Sequence, residues 1–262
     1  MTADTPARAP VAAARPAAAP RRTRVLSQAG FEVSGLLRNG EQLLVSLVLP
    51  AMVLVALHLG RTPSLGPGRR IDVAVPGVLA LCTISSAFTS QAIATGFDRR
   101  YSVLKYLGVT PLGRAGLLAA KAVATVAIQL LQVVVLGGLG LVLGWRPQAR
   151  GIPYAVLFLV VGAWAFVALA LLLAGTLRAE AVLALANLVW VLLLVAGGVV
   201  VPRSELPVTA GSAAGALPSA GLADGLRSAL VAGRLDVGAL VVVVAWGVAC
   251  SAAAARWFRW SD

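Results

Sequence analysis

Histidine and cysteine are almost absent from this sequence of 262 residues, which has one histidine and two cysteines. The cysteines, Cys82 and Cys250, lie inside long apolar runs, where small packing residues are common. A usual zinc site needs more nitrogen and sulfur ligands than these residues supply. The sequence therefore predicts no metal site and no cofactor bound by this chain.

The local motifs of common enzymes are also missing. The sequence has no GxxxxGK[ST] phosphate-binding loop, no HExxH, no GxSxG elbow and no paired aspartates that would hold magnesium and diphosphate. We therefore expect that the chain is not an enzyme and does not hydrolyse nucleotide itself.

Charged residues are scarce, at 12% of the chain against 59% hydrophobic residues. This is more apolar surface than a soluble domain of this length can hide, so the composition predicts a membrane protein. The formal net charge is +12, but most basic residues flank apolar runs. They indicate membrane lipids with anionic headgroups as partners, and no nucleic acid.

The N-terminal region divides into two parts. Residues 1–22 are rich in alanine, proline and arginine, which predicts a disordered tail. Residues 23–40 alternate apolar and polar residues with a helical period, which predicts an amphipathic helix lying at the membrane interface. An ordinary juxtamembrane linker is the alternative for this second part.

Residues 41–262 contain six apolar runs, each comparable with the ~20 residues that cross a bilayer. We expect an all-α membrane protein with six transmembrane helices, following the N-terminal interfacial helix. The predicted spans are residues 43–59, 73–95, 115–144, 154–177, 182–201 and 237–255.

Basic residues set the expected orientation. If the N-terminus is cytoplasmic, fourteen basic residues flank the inside ends of the spans and eight flank the outside ends. Cytoplasmic segments carry the excess of lysine and arginine, so both termini are expected to be cytoplasmic.

Two connections between spans stand out. The coupling loop, residues 97–114, is densely basic, and its first half predicts a short helix that Pro111 ends, with Leu104 and Leu107 on one side. Residues 202–236 form a long outside loop with a candidate helix over Leu222–Ala232. That segment could re-enter the membrane or cap a pathway, or it could be a plain surface loop.

The spans carry neutral polar residues and no midplane carboxylate of the kind that ion-coupled carriers use. Such residues either line a pathway or hydrogen-bond between helices, and the second role is the commoner one. They are Ser86, Thr89, Ser90, Gln91, Gln129, Gln132 and Asn187.

After about Thr23 the chain resembles the membrane subunits of ABC-2 type ABC exporters, also called type V exporters, including the daunorubicin-resistance-like permeases of actinobacteria. Members share an amphipathic first helix, six spans and a long last outside loop. The most specific part is the loop after the second span, where members tend to show an acidic and basic pair, a small-residue step, a leucine and a threonine-proline before a lysine-bearing span. The corresponding residues are Asp98, Arg99, Arg100, Ser102, Leu104, Leu107, Thr110, Pro111, Leu112, Leu117, Leu118 and Lys121. Tyr101-Ser102 replaces the usual glycine-threonine, and Asp98 replaces a glutamate.

The resemblance implies a permease in the bacterial cytoplasmic membrane, driven by a separate ABC ATPase subunit that binds ATP and magnesium. Two permeases, identical or related, would pair with two ATPases. A coupling helix in residues 97–110 would dock on the ATPase, with Leu104 and Leu107 on the docking side and Arg99, Arg100 and Lys105 facing acidic groups or lipid headgroups. The implied docking residues are Asp98, Arg99, Arg100, Leu104, Lys105, Leu107, Thr110 and Pro111.

The implied cargo is a hydrophobic drug, a lipid or a lipid-linked molecule, moved by efflux, with antibiotic resistance as one outcome. Two alternatives stay open on the sequence. The chain could be an integral-membrane lipid-modifying enzyme, or a non-transporting scaffold or assembly factor.

Overall fold

The computed structural model of the protein describes residues 19–108 and 110–259, and these residues form helices without any β-strand. The predicted all-α membrane fold is confirmed. Residues 1–18 of the predicted disordered tail lie outside the described residues. The interfacial helix begins at Arg21, two residues before the predicted boundary at residue 23.

Twelve α-helices follow one another along the described chain, and most of the predicted runs correspond to one of them. They are α1 (Arg21–Arg38), α2 (Gly40–Leu43), α3 (Leu49–Leu59), α4 (Arg70–Ile84), α5 (Gln91–Arg100), α6 (Val103–Gly108), α7 (Gly113–Val142), α8 (Ile152–Thr176), α9 (Ala179–Ala196), α10 (Val208–Ala214), α11 (Pro218–Leu230) and α12 (Val237–Trp257).

Short π-helical turns join two pairs of helices into longer rods. Leu44–Val48 connects α2 to α3, and Ser85–Ser90 connects α4 to α5. Turns with this wider hydrogen-bond pattern often lie at functional sites within helices.

Five helical stretches of the described chain are long and apolar enough to cross a membrane. They are Arg70–Arg100, Gly116–Val142, Ala149–Thr176, Ala179–Ala196 and Val237–Trp257. The first predicted span, residues 43–59, corresponds to a shorter apolar helix over Leu44–Leu59. At ~1.5 Å per residue this helix is roughly 24 Å long, so it reaches less than the full hydrocarbon thickness of ~30 Å.

Proline marks where two helices begin. Pro153 and Pro218 occupy the first turns of α8 and α11. The missing backbone N–H of proline costs no hydrogen bond at that position, and its fixed φ angle suits a helix start.

The second span lies at the centre of the bundle. Twelve of the fifteen residues of α4 are buried, and within the Arg70–Arg100 stretch 83% of the apolar window is buried, against 22% in Ala179–Ala196. A helix that is apolar on all sides is stable when neighbouring helices surround it. The other spans therefore wrap α4 and turn their outer sides towards lipid.

α11 lies inside this bundle, packed against α4, α8 and α12. It extends from Pro218 to Leu230, so it begins four residues before the predicted helix over Leu222–Ala232. Close packing depends on a missing side chain, because a Cβ at Gly225 would lie 2.2 Å from Cε1 of Phe158 on α8. Small residues allow helices in membranes to approach in this way. The alternative of a plain surface loop is therefore excluded for α11.

A buried arginine fixes α11 to the end of α9. The Arg227 guanidinium donates to the backbone oxygens of Gly198, at 2.8 Å, and Val199. Its Nη1 lies 3.6 Å from a carboxylate oxygen of Asp224, which also pairs with Arg203. Burial lowers the pKa of Arg227 to about 10, and the Asp224 carboxylate opposes this shift. The guanidinium therefore stays charged at neutral pH.

We predict that Arg227→Met lowers the free energy of unfolding by about 3 kcal/mol, because it leaves two backbone oxygens without their donor and removes one of the two arginines that pair with Asp224. Arg234→Met, at an exposed position, is the matched control and should change stability little. Thermal unfolding of the detergent-purified proteins measures both. Equal midpoints for the two variants would contradict this role of Arg227.

Candidate functional site

The coupling loop follows directly from the second span. α5 ends at Arg100, the chain turns through Tyr101 and Ser102, and α6 then runs from Val103 to Gly108. Ser102 has a φ of 60°, in the left-handed region that few residues other than glycine adopt. The loop thus has two helical pieces where the sequence predicts one helix, and the break falls at Ser102 as well as before Pro111.

A buried lysine joins three helices at this end of the bundle. The Nζ of Lys121, on α7, lies 2.8 Å from a carboxylate oxygen of Asp98 on α5 and 3.7 Å from one of Glu32 on α1. The Glu32 carboxylate also accepts from Gln28, at 3.3 Å. A buried ammonium is stable only when it is paired and hydrogen-bonded. These residues, which we call the Lys121 cluster (Glu32, Asp98 and Lys121), therefore hold α1, α5 and α7 together.

The two arginines at the end of α5 hold the turn between α8 and α9. Arg99 is 3% exposed and donates to the backbone oxygen of Leu177, the residue that caps the C-terminus of α8. Arg100 forms an ion pair with Glu180 in the first turn of α9. A cation at a helix C-terminus and an acid at an N-terminus are both favourable with the helix dipole. Arg99, expected to face acidic groups or lipid headgroups, thus contacts a backbone oxygen of its own chain, and its part in docking stays a prediction.

Leu104 is also turned inwards. Its side chain is 2% exposed, and α6 packs on α5 and α7. Leu104 therefore faces its own chain in this structure, and its place on the docking side stays a prediction. The side chains of Lys105 and Leu107 lie outside the described residues.

Two tyrosines form the exposed surface of the coupling loop. Tyr101 and Tyr106 are 66% and 70% exposed, and Thr110 and Pro111 are exposed beside them. The Tyr101 ring stacks on Phe97 with 6.1 Å between centroids, and the guanidinium carbon of Arg100 lies 5.9 Å from it. We call Tyr101 and Tyr106 the tyrosine pair. In the sequence these two tyrosines lie among basic residues. This is a signal for an exposed surface that the prediction based on Leu104 and Leu107 does not use.

The interfacial helix α1 packs along α7. Ala29 is buried against Ala120 and Ala124, and Val25 and Val33 pack at the edge of this contact. Larger apolar side chains of α1 point away from the contact, among them Leu26 and Phe31. This arrangement fits a helix that lies in the membrane interface while one side is fixed to the bundle.

The predicted polar residues divide into three groups. Ser86, Ser90, Gln91 and Gln132 line a cavity of about 690 Å³ that the Lys121 cluster also lines. Gln129 connects helices, because its Nε2 donates to Thr83 at 3.0 Å and to the backbone oxygen of Leu159 at 3.2 Å.

The remaining two polar residues serve neither role clearly. Asn187 is exposed and donates to Leu183 of its own helix at 2.9 Å, and Thr89 is half-buried. Hydrogen bonding between helices therefore occurs, and Gln91 and Gln132 combine it with a place in the cavity lining. A role of these residues in a transport pathway stays a prediction.

Within the described residues, no three histidine, cysteine, aspartate or glutamate side chains lie close enough together to hold a metal ion. Arg100 and Lys121 instead pair with carboxylates, and Arg99 donates to a backbone oxygen.

Comparison with known families gives one match. A family model described as ABC-2 type transporter matches residues 25–231, a range that begins in α1 and ends just after α11. Among curated proteins, no match is found.

We predict that Lys121→Met lowers the free energy of unfolding by about 2 kcal/mol, because Asp98 and Glu32 then repel each other beside an apolar cavity. Adding Asp98→Asn to this variant should recover part of the loss. Thermal unfolding of the single and double variants measures the coupling, with Arg22→Met on exposed α1 surface as the charge-matched control. A double variant less stable than the sum of its single changes would contradict the pairing.

Proposed function

The chain belongs to the ABC-2 type transporter family and is a multi-pass membrane permease component, and we propose that a separate ATPase subunit docks on its coupling loop and drives export. The observation that carries this proposal is the tyrosine pair. Tyrosine supplies a large, rigid contact surface with a polar tip, and it is enriched at the centres of protein interfaces.

The contacts behind the tyrosine pair suit the transmission of force. α6 packs on α5 and α7, the Lys121 cluster connects these helices to α1, and Arg99 and Arg100 connect α5 to the turn between α8 and α9. An ATPase can shift the spans only if it binds their two arrangements with different affinity. The docking segment is thus connected to five helices, and a difference in ATPase affinity can be transmitted to the spans through these contacts.

The proposed orientation places the coupling loop in the cytoplasm of a bacterial cell. Two contacts support a common side of the membrane for this loop and both ends of the chain. Glu32 of α1 pairs with Lys121, and the backbone N–H of Arg259 donates to Gly175, at the same end of α8 as Leu177. The excess of basic residues at this end favours the cytoplasmic side.

A second permease, identical or related, is part of the proposal. α9 has an outward row of large apolar side chains, among them Leu188, Leu192 and Val195, at 55%, 55% and 71% exposed. In a monomer, lipid chains cover this row equally well. In a pair of permeases, the two chains would enclose a path between them. The proposed cargo is hydrophobic, in keeping with the apolar lining of the cavity.

We predict that Tyr106→Asp reduces the ATPase recovered with the permease at least about tenfold, because a charge must be desolvated at the contact. The measurement is a pull-down of the tagged chain from its native membrane in mild detergent, with vanadate-sensitive ATP hydrolysis as the readout. Val208→Asp, at an 89% exposed residue outside the coupling loop, is the control and should retain the ATPase. Wild-type recovery with Tyr106→Asp would exclude the tyrosine pair as the docking surface.

The orientation has its own test. A cysteine at Ser102 should resist an impermeant maleimide in intact cells and react after permeabilisation, whereas one at Ser212 should react in intact cells; both residues are exposed. The native cysteines, Cys82 and Cys250, are buried, so the wild-type chain gives the background. The reverse labelling pattern would overturn the orientation.

A further inference from the structure

The cavity of about 690 Å³ lies between α1, the Leu44–Leu59 helix, the α4–α5 rod and α7, with Trp190 of α9 closing one wall. Most of its lining surface is apolar, from aliphatic side chains together with Phe31 and Trp190, and it reaches from the Lys121 cluster to Gln132. Those two positions lie on α7 and are separated by about 16 Å along the helix axis at its normal rise. The cavity therefore suits a long, narrow molecule.

One end of the cavity carries a net negative charge. The charged side chains in its described lining are Glu32, Asp98 and Lys121. Lys121 lies closer to Asp98, at 2.8 Å, than to Glu32, at 3.7 Å. One ammonium thus faces two carboxylates, and Glu32, the less closely paired carboxylate, borders the empty space. A further cation is attracted to this end, and an anion is repelled.

The other end presents a buried acceptor. Gln132 is 1% exposed, and its Nε2 donates to the backbone oxygen of Ser46 at 3.1 Å, which directs the amide between α7 and the π-helical turn. Its Oε1 has no hydrogen-bond partner among the described residues. A buried acceptor without a donor is unfavourable, and a ligand that donates a hydrogen bond recovers this cost.

We propose that the cavity binds an elongated amphiphile with a single cationic group beside Glu32 and Asp98, an apolar body along the aliphatic walls, and a hydroxyl or amide donor that reaches Gln132. Binding follows from the cavity alone. That the bound molecule is the cargo rests on the permease function proposed above, and it narrows that cargo to single-tailed organic cations.

Direct binding tests the proposal without the ATPase. The full chain is reconstituted in phosphatidylcholine nanodiscs, and equilibrium dialysis measures bound dodecylammonium, with empty nanodiscs subtracted. Dodecylammonium should bind at least about tenfold more tightly than dodecyl sulfate or dodecanol, because only the cation meets the uncompensated carboxylate. Equal binding of the three probes would overturn the proposal.

Glu32→Gln removes the uncompensated charge with little change in shape, and it should weaken dodecylammonium binding about tenfold. Glu41→Gln makes the same change of net charge at an exposed residue outside the cavity lining, and it should bind like the wild type. Thermal unfolding verifies that each variant is folded. Identical affinities for the two folded variants would contradict the assigned carboxylate.

The far end is tested with a pair of ligands. ω-Hydroxydodecylammonium should bind about tenfold more tightly than dodecylammonium to the wild type, and Gln132→Met should abolish that difference. A difference that survives in Gln132→Met would remove Gln132 from the site.

Phosphatidylethanolamine in the nanodisc distinguishes a lipid from a single-tailed cargo. If the cavity takes a single-tailed cation, phosphatidylethanolamine should not displace dodecylammonium. Displacement would assign the cavity to a lipid headgroup instead. Failure of the wild-type chain to recover an ATPase in the pull-down, with dodecylammonium binding intact, would count against the proposed function and not against this site.

Discussion

A lysine that is buried at the edge of the membrane is the interaction on which one end of this molecule depends. The Lys121 ammonium is 6% exposed, so it needs carboxylates that the local sequence does not provide. Asp98 and Glu32 supply them from α5 and α1. The pairing thereby fixes the interfacial helix to the second and third spans, and it places the start of the coupling loop, because Asp98 lies two residues before the end of α5.

At the opposite end, Arg227 pairs with Asp224 and donates to the backbone oxygens after α9, which makes a second charged cluster. Between these two ends the described spans are held by neutral contacts, such as Gln91 with Thr125 at 2.9 Å and Trp190 with Ser85 at 2.9 Å. A neutral hydrogen bond between membrane helices contributes little to stability, whereas separating a buried ion pair is costly. The middle of the bundle is therefore the part most able to change its packing, and the cavity lies there. Rigid ends with an adaptable centre are what alternating access to a cargo requires.

Hydropathy alone predicts the long helices, because a bilayer requires a continuous apolar run. The Arg70–Arg100 stretch is an example, with the run over residues 73–95 as its core. The orientation of side chains in the coupling loop was not predictable, because a left-handed residue at Ser102 resets the helix phase. The Lys121 cluster was missed because residues 32, 98 and 121 are distant in sequence; the signal available was a lysine near the start of an apolar run. Arg99 was assigned to the surface because its partner is a backbone oxygen, which carries no mark in the sequence.

The central claim is that α1 and the end of α5 move as one body when the ATPase acts. Spin labels at Ser27 on α1 and at Ser102, both exposed, report this directly through pulsed dipolar distances in the assembled transporter. The account predicts that the distance between them is the same in the nucleotide-free and vanadate-trapped states, while the distance from Ser102 to Ser212 changes. A change between Ser27 and Ser102 in a complex that still hydrolyses ATP would show that the Lys121 cluster does not transmit the motion.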